Sequence, residues 1–294
     1  MSIVVSAPTG NIGSRLVELL LEANADLTLL VRNPDKLAPS VRSRVKVEQG
    51  DLQDADFVAR ATQGAKAFFV LAPPNFGAPN VHAYYQTISD YVVGAVRANY
   101  ISHVVLISSG GAGHGKAGFV TEVFHIEEAL DATEANVLSL RCGSFMENFK
   151  LYLPTLREQG AFYGINRPDL PAPLVATQDI AAVAAQKLLD LSWQGKLKLA
   201  VHGAADVTYD EAAQILSKVI GKPIHYGQIP AEALRQSLLQ MGATPDVAAN
   251  YIEMLEAFDT GIYASELRTP ETTTPTTFQQ WAEEVLKPEL SPVA

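Results

Sequence analysis

The stretch Thr9-Gly10-Asn11-Ile12-Gly13 sits between a short β-branched run, Ile3 to Ser6, and a segment where Leu16, Leu19, Leu20 and Ala23 recur at helical spacing. Glycine at 10 lets a backbone approach a pyrophosphate, and glycine at 13 lets the helix pack closely on the strand. The helix N-terminus then offers unpaired amides and a positive dipole end to phosphates. Thr9, Gly10, Asn11, Ile12 and Gly13 are therefore candidate dinucleotide-binding residues, against the alternative of an ordinary strand-to-helix turn. Ala7 replaces the first glycine of the usual fingerprint, which asks only that the tight turn tolerate a methyl group.

The end of the second strand chooses between dinucleotides. An acidic residue about 20 positions past the glycines binds the ribose hydroxyls of NAD, whereas a basic one accepts the extra phosphate of NADP. Here the chain reads Leu29-Leu30-Val31-Arg32-Asn33-Pro34-Asp35-Lys36, with Arg32 closing the run and no carboxylate in that place. Bidentate guanidinium-to-phosphate pairing is the strong form of the contact, with Lys36 as a second charge. NADP(H) is the expected cofactor, and a solvated strand-end arginine is the alternative for Arg32. Asp51 reads equally as an adenine-side contact and as part of a helix-initiating turn ahead of Asp54.

These residues need a scaffold, and the composition supplies one. The chain has 294 residues, 48% of them apolar and 18% charged, enough to bury a large core and exclude disorder as the main state. The net charge of −10 repels polyanions, so direct binding of nucleic acid or an anionic membrane is not expected. One cysteine, Cys142, forms no internal disulfide or thiolate metal site. The histidines at 82, 103, 114, 202 and 225 show no metal-ligand spacing, so no metal is expected. No secretory signal is visible and no apolar run approaches the roughly 20 residues that span a bilayer, which leads to a cytoplasmic expectation.

Runs at Leu27 to Val31, Val45 to Val47, Ala67 to Leu71, Val104 to Ser108 and Asn136 to Arg141 read as strands, most of them apolar throughout, as in a parallel sheet covered on both faces. Between them Asp54 to Thr62, Val81 to Arg97 and Thr121 to Ala132 read as helices. The expected fold is an α/β Rossmann doubly wound parallel sheet: a nucleotide-binding domain over 1–150, then a smaller mixed α/β lobe over 151–294 with some elements returning to the sheet. In that lobe Thr177 to Leu191, Thr208 to Ile220, Pro230 to Met241, Pro245 to Phe258 and Phe278 to Leu286 read as helices, and Leu197 to His202 and Ile224 to Ile229 as strands. Tyr163 to Pro173 reads as a loop able to cover a site, and the glycine-rich Gly110 to Gly115 as a gating loop.

Taken in order, Thr9-Gly10-x-x-Gly13, Val31-Arg32-Asn33-Pro34, Gly50-Asp51-Leu52, Ala72-Pro73-Pro74, Arg141-x-Gly143-x-Phe145-Met146-Glu147-Asn148 and Asp179-Ile180-Ala181 resemble the NmrA-like group of atypical short-chain dehydrogenases. The resemblance runs into the second lobe through Val207-Thr208-Tyr209-Asp210-Glu211 and Gly221-Lys222-Pro223. It implies an NADP(H) site to which Leu52, Ala72, Pro73, Pro74 and Ser108 also contribute. The group includes NADPH-dependent quinone reductases and catalytically silent sensors of the NADP pool.

Ordinary short-chain dehydrogenases move a proton with a Tyr whose acidity is raised by a Lys four residues on. With the group's spacing from Arg141, those places fall on Phe119 and Val123, both apolar. His125 lies two residues away, about 200° around a helix, and it and Ser108 are the catalytic candidates. Phe76, Phe145, Met146 and Asn148 are candidates for an apolar substrate pocket. The resulting expectation is a reductase of a quinone-like or conjugated carbonyl small molecule; the alternative is a non-enzymatic redox sensor with a cofactor-dependent protein partner. Oligomeric state stays open.

Overall fold

Nearly every apolar run of the first half becomes a strand, because residues covered on both faces gain most from a central sheet. The computed structural model describes residues 2–290. Its strands are β1 (Ser2–Ser6), β2 (Asp26–Val31), β3 (Lys46–Gln49), β4 (Ala67–Val70), β5 (His103–Ser109), β6 (Asn136–Cys142), β7 (Ala161–Gly164), β8 (Lys196–Val201) and β9 (His225–Gln228). Its helices are α1 (Asn11–Glu22), α2 (Pro39–Arg42), α3 (Ala55–Ala61), α4 (Val81–Ala98), α5 (Phe119–Asp131), α6 (Leu153–Glu158), α7 (Thr177–Leu189), α8 (Tyr209–Ile220), α9 (Ala231–Gln240), α10 (Pro245–Asp259), α11 (Phe278–Trp281) and α12 (Lys287–Leu290).

Seven strands form one sheet in the order β3-β2-β1-β4-β5-β6-β8. The β1–β2, β2–β3, β1–β4 and β4–β5 pairs are parallel, with Val4 opposite Thr28 on one side and Phe68 on the other. Strand order reverses between β1 and β4, the switch point beyond whose carboxyl ends an open α/β sheet forms its crevice. The structure is the α/β Rossmann fold expected. No helix of the described residues is long and apolar enough to cross a membrane.

By contacts the chain divides into two compact units, and the division is discontinuous. Unit 1 is Met1–Ser109, Val120–Arg141 and Ile180–Leu199; unit 2 is Gly110–Phe119, Cys142–Asp179 and Ala200–Ala294. Unit 1 thus recruits most of α7 and of β8 from beyond residue 150, and unit 2 takes in Gly110–Phe119 and resumes at Cys142, the last residue of β6.

Unit 2 is built on an aromatic core. Phe149, Phe162, Phe278 and Trp281 are buried together with Met146 and Leu216, and the Phe149 and Phe278 rings lie 4.7 Å apart. Around it β7 and β9 form a two-stranded parallel sheet with Phe162 opposite Tyr226. Helix α8 is held by a capping box between Thr208 and Glu211 and ends at Gly221 with φ of 82°. Two family-like motifs serve this architecture. The Glu147 carboxylate accepts the Thr177 backbone N–H at the start of α7 and the Trp281 indole N–H at 3.1 Å. Asp179 accepts both the backbone N–H and the hydroxyl of Thr276.

Two expectations need correction. Tyr163 and Gly164 are not loop but the end of strand β7, and Asn166, Leu170, Ala172 and Leu174 after them are buried. The strand is short and its ladder comes from β9, about sixty residues later in the chain, so no local pattern marks it. The Gly110–Gly115 segment is likewise no free gate at its start. Gly111 (φ 104°) donates its N–H to Glu266 at 2.8 Å, and a Cβ there would lie 2.2 Å from the Ile262 side chain. Its glycines serve packing and backbone conformation within unit 2. A third difference is the 3-10 and helical run from Met146 to Glu158, which has no amphipathic period and forms because Phe149 and Leu156 are drawn into the aromatic core.

Candidate functional site

The turn after β1 is tight for a visible reason. Ala7 adopts φ of 48°, the left-handed conformation that favours glycine, and its carbonyl accepts the Gly10 N–H at 3.2 Å. The departure at Ala7 therefore asks for more than room for a methyl group: it places an L-residue in a strained region. The two glycines of the turn do different work. A Cβ on Gly13 would sit 2.2 Å from the Ala7 carbonyl oxygen, so α1 packs on the turn only with glycine there. Gly10 has an extended backbone (φ −85°) and its Cβ would meet nothing nearer than 3.6 Å. Neither conformation nor protein packing requires glycine at 10, which leaves free space over the turn as its use.

Beyond that turn lies a cavity of about 510 Å³ lined wholly by unit 1. Thr9, Gly10, Arg32, Lys36, Asp51, Leu52 and Pro73 line it, from the ends of β1 to β4. Asn11, Ile12 and Gly13 instead begin α1, whose first backbone amides follow from the turn. Ala72 and Pro74 flank Pro73, and Ser108 is not on the cavity wall. Sequence reasoning missed Ala7, Pro8, Leu30, Asn33, Phe57 and Tyr84, which also line it. Asn33 carried a legible signal: its side chain accepts the Asp35 N–H and caps the short helical turn Pro34–Lys36, keeping Arg32 and Lys36 on one wall. Tyr84 carried none, since only the placement of α4 brings it here. Its hydroxyl donates to the Pro73 carbonyl at 2.9 Å. Burial, and then the nearby Asp51 charge, push its pKa up to about 12, so it stays a neutral, apolar-faced donor.

Arg32 and Lys36 are exposed, and neither has a carboxylate partner among the described residues. Asp35 is turned away, in an ion pair with Arg42 at 3.3 Å. Asp51 accepts the Gln53 N–H at 3.0 Å and is part of the cavity lining. The arrangement offers two uncommitted cations, a glycine-floored helix N-terminus and an aromatic wall. That set fits a dinucleotide carrying an additional phosphate.

The catalytic candidates are engaged elsewhere. The buried Ser108 hydroxyl donates to Glu127 at 2.7 Å, and Glu127 also pairs with Arg141 at 2.6 Å and Lys198 at 3.2 Å. Burial by itself would raise the Glu127 carboxyl, but the hydrogen bonds from Arg141 and Ser108 and the charges of Lys198 and Arg141 outweigh it and hold the group below its usual range. His125 turns its Nδ1 toward Glu122, 3.2 Å away. Phe119 is buried and Val123 half-buried, so the places of the usual Tyr and Lys carry no proton donor. Of the pocket candidates, Phe76 is exposed in unit 1; in unit 2 Asn148 is exposed, Phe145 is half-buried and bridges Val175, and Met146 is a core side chain, 1% exposed.

A model of the NmrA-like family matches residues 1–282. The chain belongs to the NmrA-like family. Among curated relatives of this family member, a (4-alkanoyl-5-oxo-2,5-dihydrofuran-3-yl)methyl phosphate reductase of Streptomyces griseus is 28% identical over 273 residues, 91% of this chain and 90% of the relative. An NAD(P)H azoreductase of Xenophilus azovorans is 26% identical over 246 residues, covering 84% and 83% of the two chains. Among solved structures, the NADPH-dependent quinone oxidoreductase of Escherichia coli complexed with NADPH has a TM-score of 0.81 at 20% identity, covering 97% of this chain and 99% of that one.

Proposed function

We propose that this NmrA-like protein is an NADPH-dependent reductase of a small molecule whose acceptor is a conjugated carbonyl or quinone-like π system, acting in the cytoplasm. The observation that carries the reading is the pair Arg32 and Lys36, free of carboxylate partners on the wall of a glycine-floored cavity whose β2 end holds no acid. Arg32 binds the extra phosphate, Gly10 and the α1 N-terminus hold the pyrophosphate, and Asp51 and Tyr84 border the adenosine half. When bound, NADPH supplies a hydride.

The absence of a proton donor at Phe119 and Val123 narrows the acceptor. An isolated ketone needs its oxygen protonated as the hydride arrives, whereas a conjugated acceptor spreads the charge and takes its proton from water afterwards. The relatives support this choice, since a dihydrofuranone, an azo compound and a quinone are all extended π acceptors. The same missing donor favours the second reading, a protein that binds NADP(H) without turnover and changes partner affinity.

The test follows NADPH absorbance across a panel of quinones, butenolides, azo dyes and simple ketones, with NADH in parallel. Turnover of conjugated acceptors with preference for NADPH is expected. No turnover across the panel, with NADPH still binding by calorimetry, passes the case to the sensor reading.

A further inference from the structure

Away from the nucleotide cavity, three side chains with no part in that reading converge on one point of unit 1. His82, in the first turn of α4, places Nδ1 2.9 Å from Glu122 Oε2 on α5. His125, one turn along α5, places Nδ1 3.2 Å from the same oxygen. The two imidazoles meet edge to face with centroids 5.5 Å apart, and all three ligand atoms lie within 4.8 Å of one another.

The chemistry of the set is specific. Two imidazole nitrogens and one carboxylate oxygen are the donors that borderline divalent d-block ions take, and three protein ligands with an open fourth position form a recurring zinc arrangement. Zinc–ligand bonds of about 2.0–2.1 Å in a tetrahedron set the ligand atoms about 3.3 Å apart. The two separations to Glu122 are already close to that value, so a cation needs only small side-chain adjustments there and the approach of one ring to the other. The burial also fits. The Glu122 side chain is 10% exposed, whereas those of His82 and His125 are 60% and 42% exposed, so the anionic ligand is anchored and the site opens to solvent.

The alternative use of these contacts, a carboxylate simply hydrogen-bonded by two histidines, puts both Nδ1–H groups on one oxygen. One carboxylate oxygen can accept both, so what favours a cation is that the three donor atoms lie within 4.8 Å of one another with both imidazoles open to solvent. The helix dipoles weigh slightly against a cation at two N-termini, an effect of less than about tenfold at each.

We propose that His82, Glu122 and His125 form a binding site for one divalent d-block cation, zinc in the first place, with water as fourth ligand, linking the first turn of α4 to α5. The sequence hid it because the ligands come from two helices forty residues apart, with only the Glu122/His125 spacing local.

The experiment uses the full-length chain without a histidine tag, stripped with a chelator. Zinc is titrated by calorimetry, and cobalt by its visible ligand-field absorption. One equivalent of zinc with a Kd in the micromolar range or tighter, and a cobalt spectrum of tetrahedral intensity, are expected. His82→Ala, at an exposed position that leaves the fold intact, should weaken zinc at least about tenfold and abolish the cobalt band. Glu122→Gln should do the same, with circular dichroism confirming that it folds. No zinc binding at millimolar metal, or binding unchanged in His82→Ala, overturns the site. Neither outcome touches the nucleotide cavity, so the reductase reading stands or falls separately.

Discussion

At the turn after β1 a single methyl group sets both local strain and a testable stability difference. Ala7 holds φ of 48°, where glycine is relieved of the Cβ clash but loses more entropy on folding. The clash outweighs that entropy loss, so Ala7→Gly should stabilise the protein by about 0.5–1 kcal/mol, read as a higher urea midpoint. Gly13→Ala should act the other way. Its Cβ would meet a backbone oxygen at 2.2 Å, which no rotamer relieves, so a loss above about 2 kcal/mol and weakened dinucleotide binding are expected. Arg32 carries the functional counterpart. Removing its guanidinium in Arg32→Ala should raise the KM for NADPH about tenfold or more and leave that for NADH nearly unchanged. Equal effects on both dinucleotides would separate Arg32 from the extra phosphate.

Between elements, the Glu127 network concentrates several charges on one carboxylate. It ties α5 to β5 through Ser108, to β6 through Arg141 and to β8 through Lys198, with the Glu127 side chain 4% exposed. The Phe124 ring, 5.5 Å from the Arg141 guanidinium, adds a second anchor. Removing the Glu127 carboxylate takes away the charge-assisted hydrogen bonds from Arg141 and Ser108, while Lys198 keeps Asp131 at 2.7 Å. Glu127→Ala should therefore cost about 2–3 kcal/mol in chemical denaturation. A loss below about 1 kcal/mol would mean that water replaces the carboxylate. The same network explains why Ser108, legible as a companion serine at the end of a strand, is occupied: its partner comes from α5, and local sequence does not reveal that a serine's hydroxyl is already taken.

Over the whole molecule, acid should act in two steps. His202 is buried with both ring nitrogens unpartnered among the described residues, and burial, then the Arg268 charge, hold its pKa below the ordinary value of 6.5. The unfolded chain takes up that proton below 6.5 while the folded chain resists it, so stability falls as pH drops through this range. Glu127 is also lowered, so its contribution is complete above 4.5 and is lost as pH falls further, through its folded pKa. Thermal melts between pH 8 and 3 should show both steps, and His202→Leu should remove the first. A single step confined to strong acid in the wild-type chain would contradict the burial of His202. What was readable in the chain beforehand is what depends on near neighbours. The parallel strands follow from runs apolar on both faces, α8 from its Thr208–Glu211 box and Gly221, and the phosphate floor and Arg32 from one strand-to-helix turn and the next strand end. What needed the fold are contacts between residues far apart in the chain: β7 paired with β9, Glu147 holding both Thr177 and Trp281, Tyr84 on the cavity wall, and His82 beside Glu122. Periodicity and capping are carried by residues a few positions apart and leave a pattern in sequence, whereas a partner brought in from another element leaves none until the sheet order fixes which helices meet.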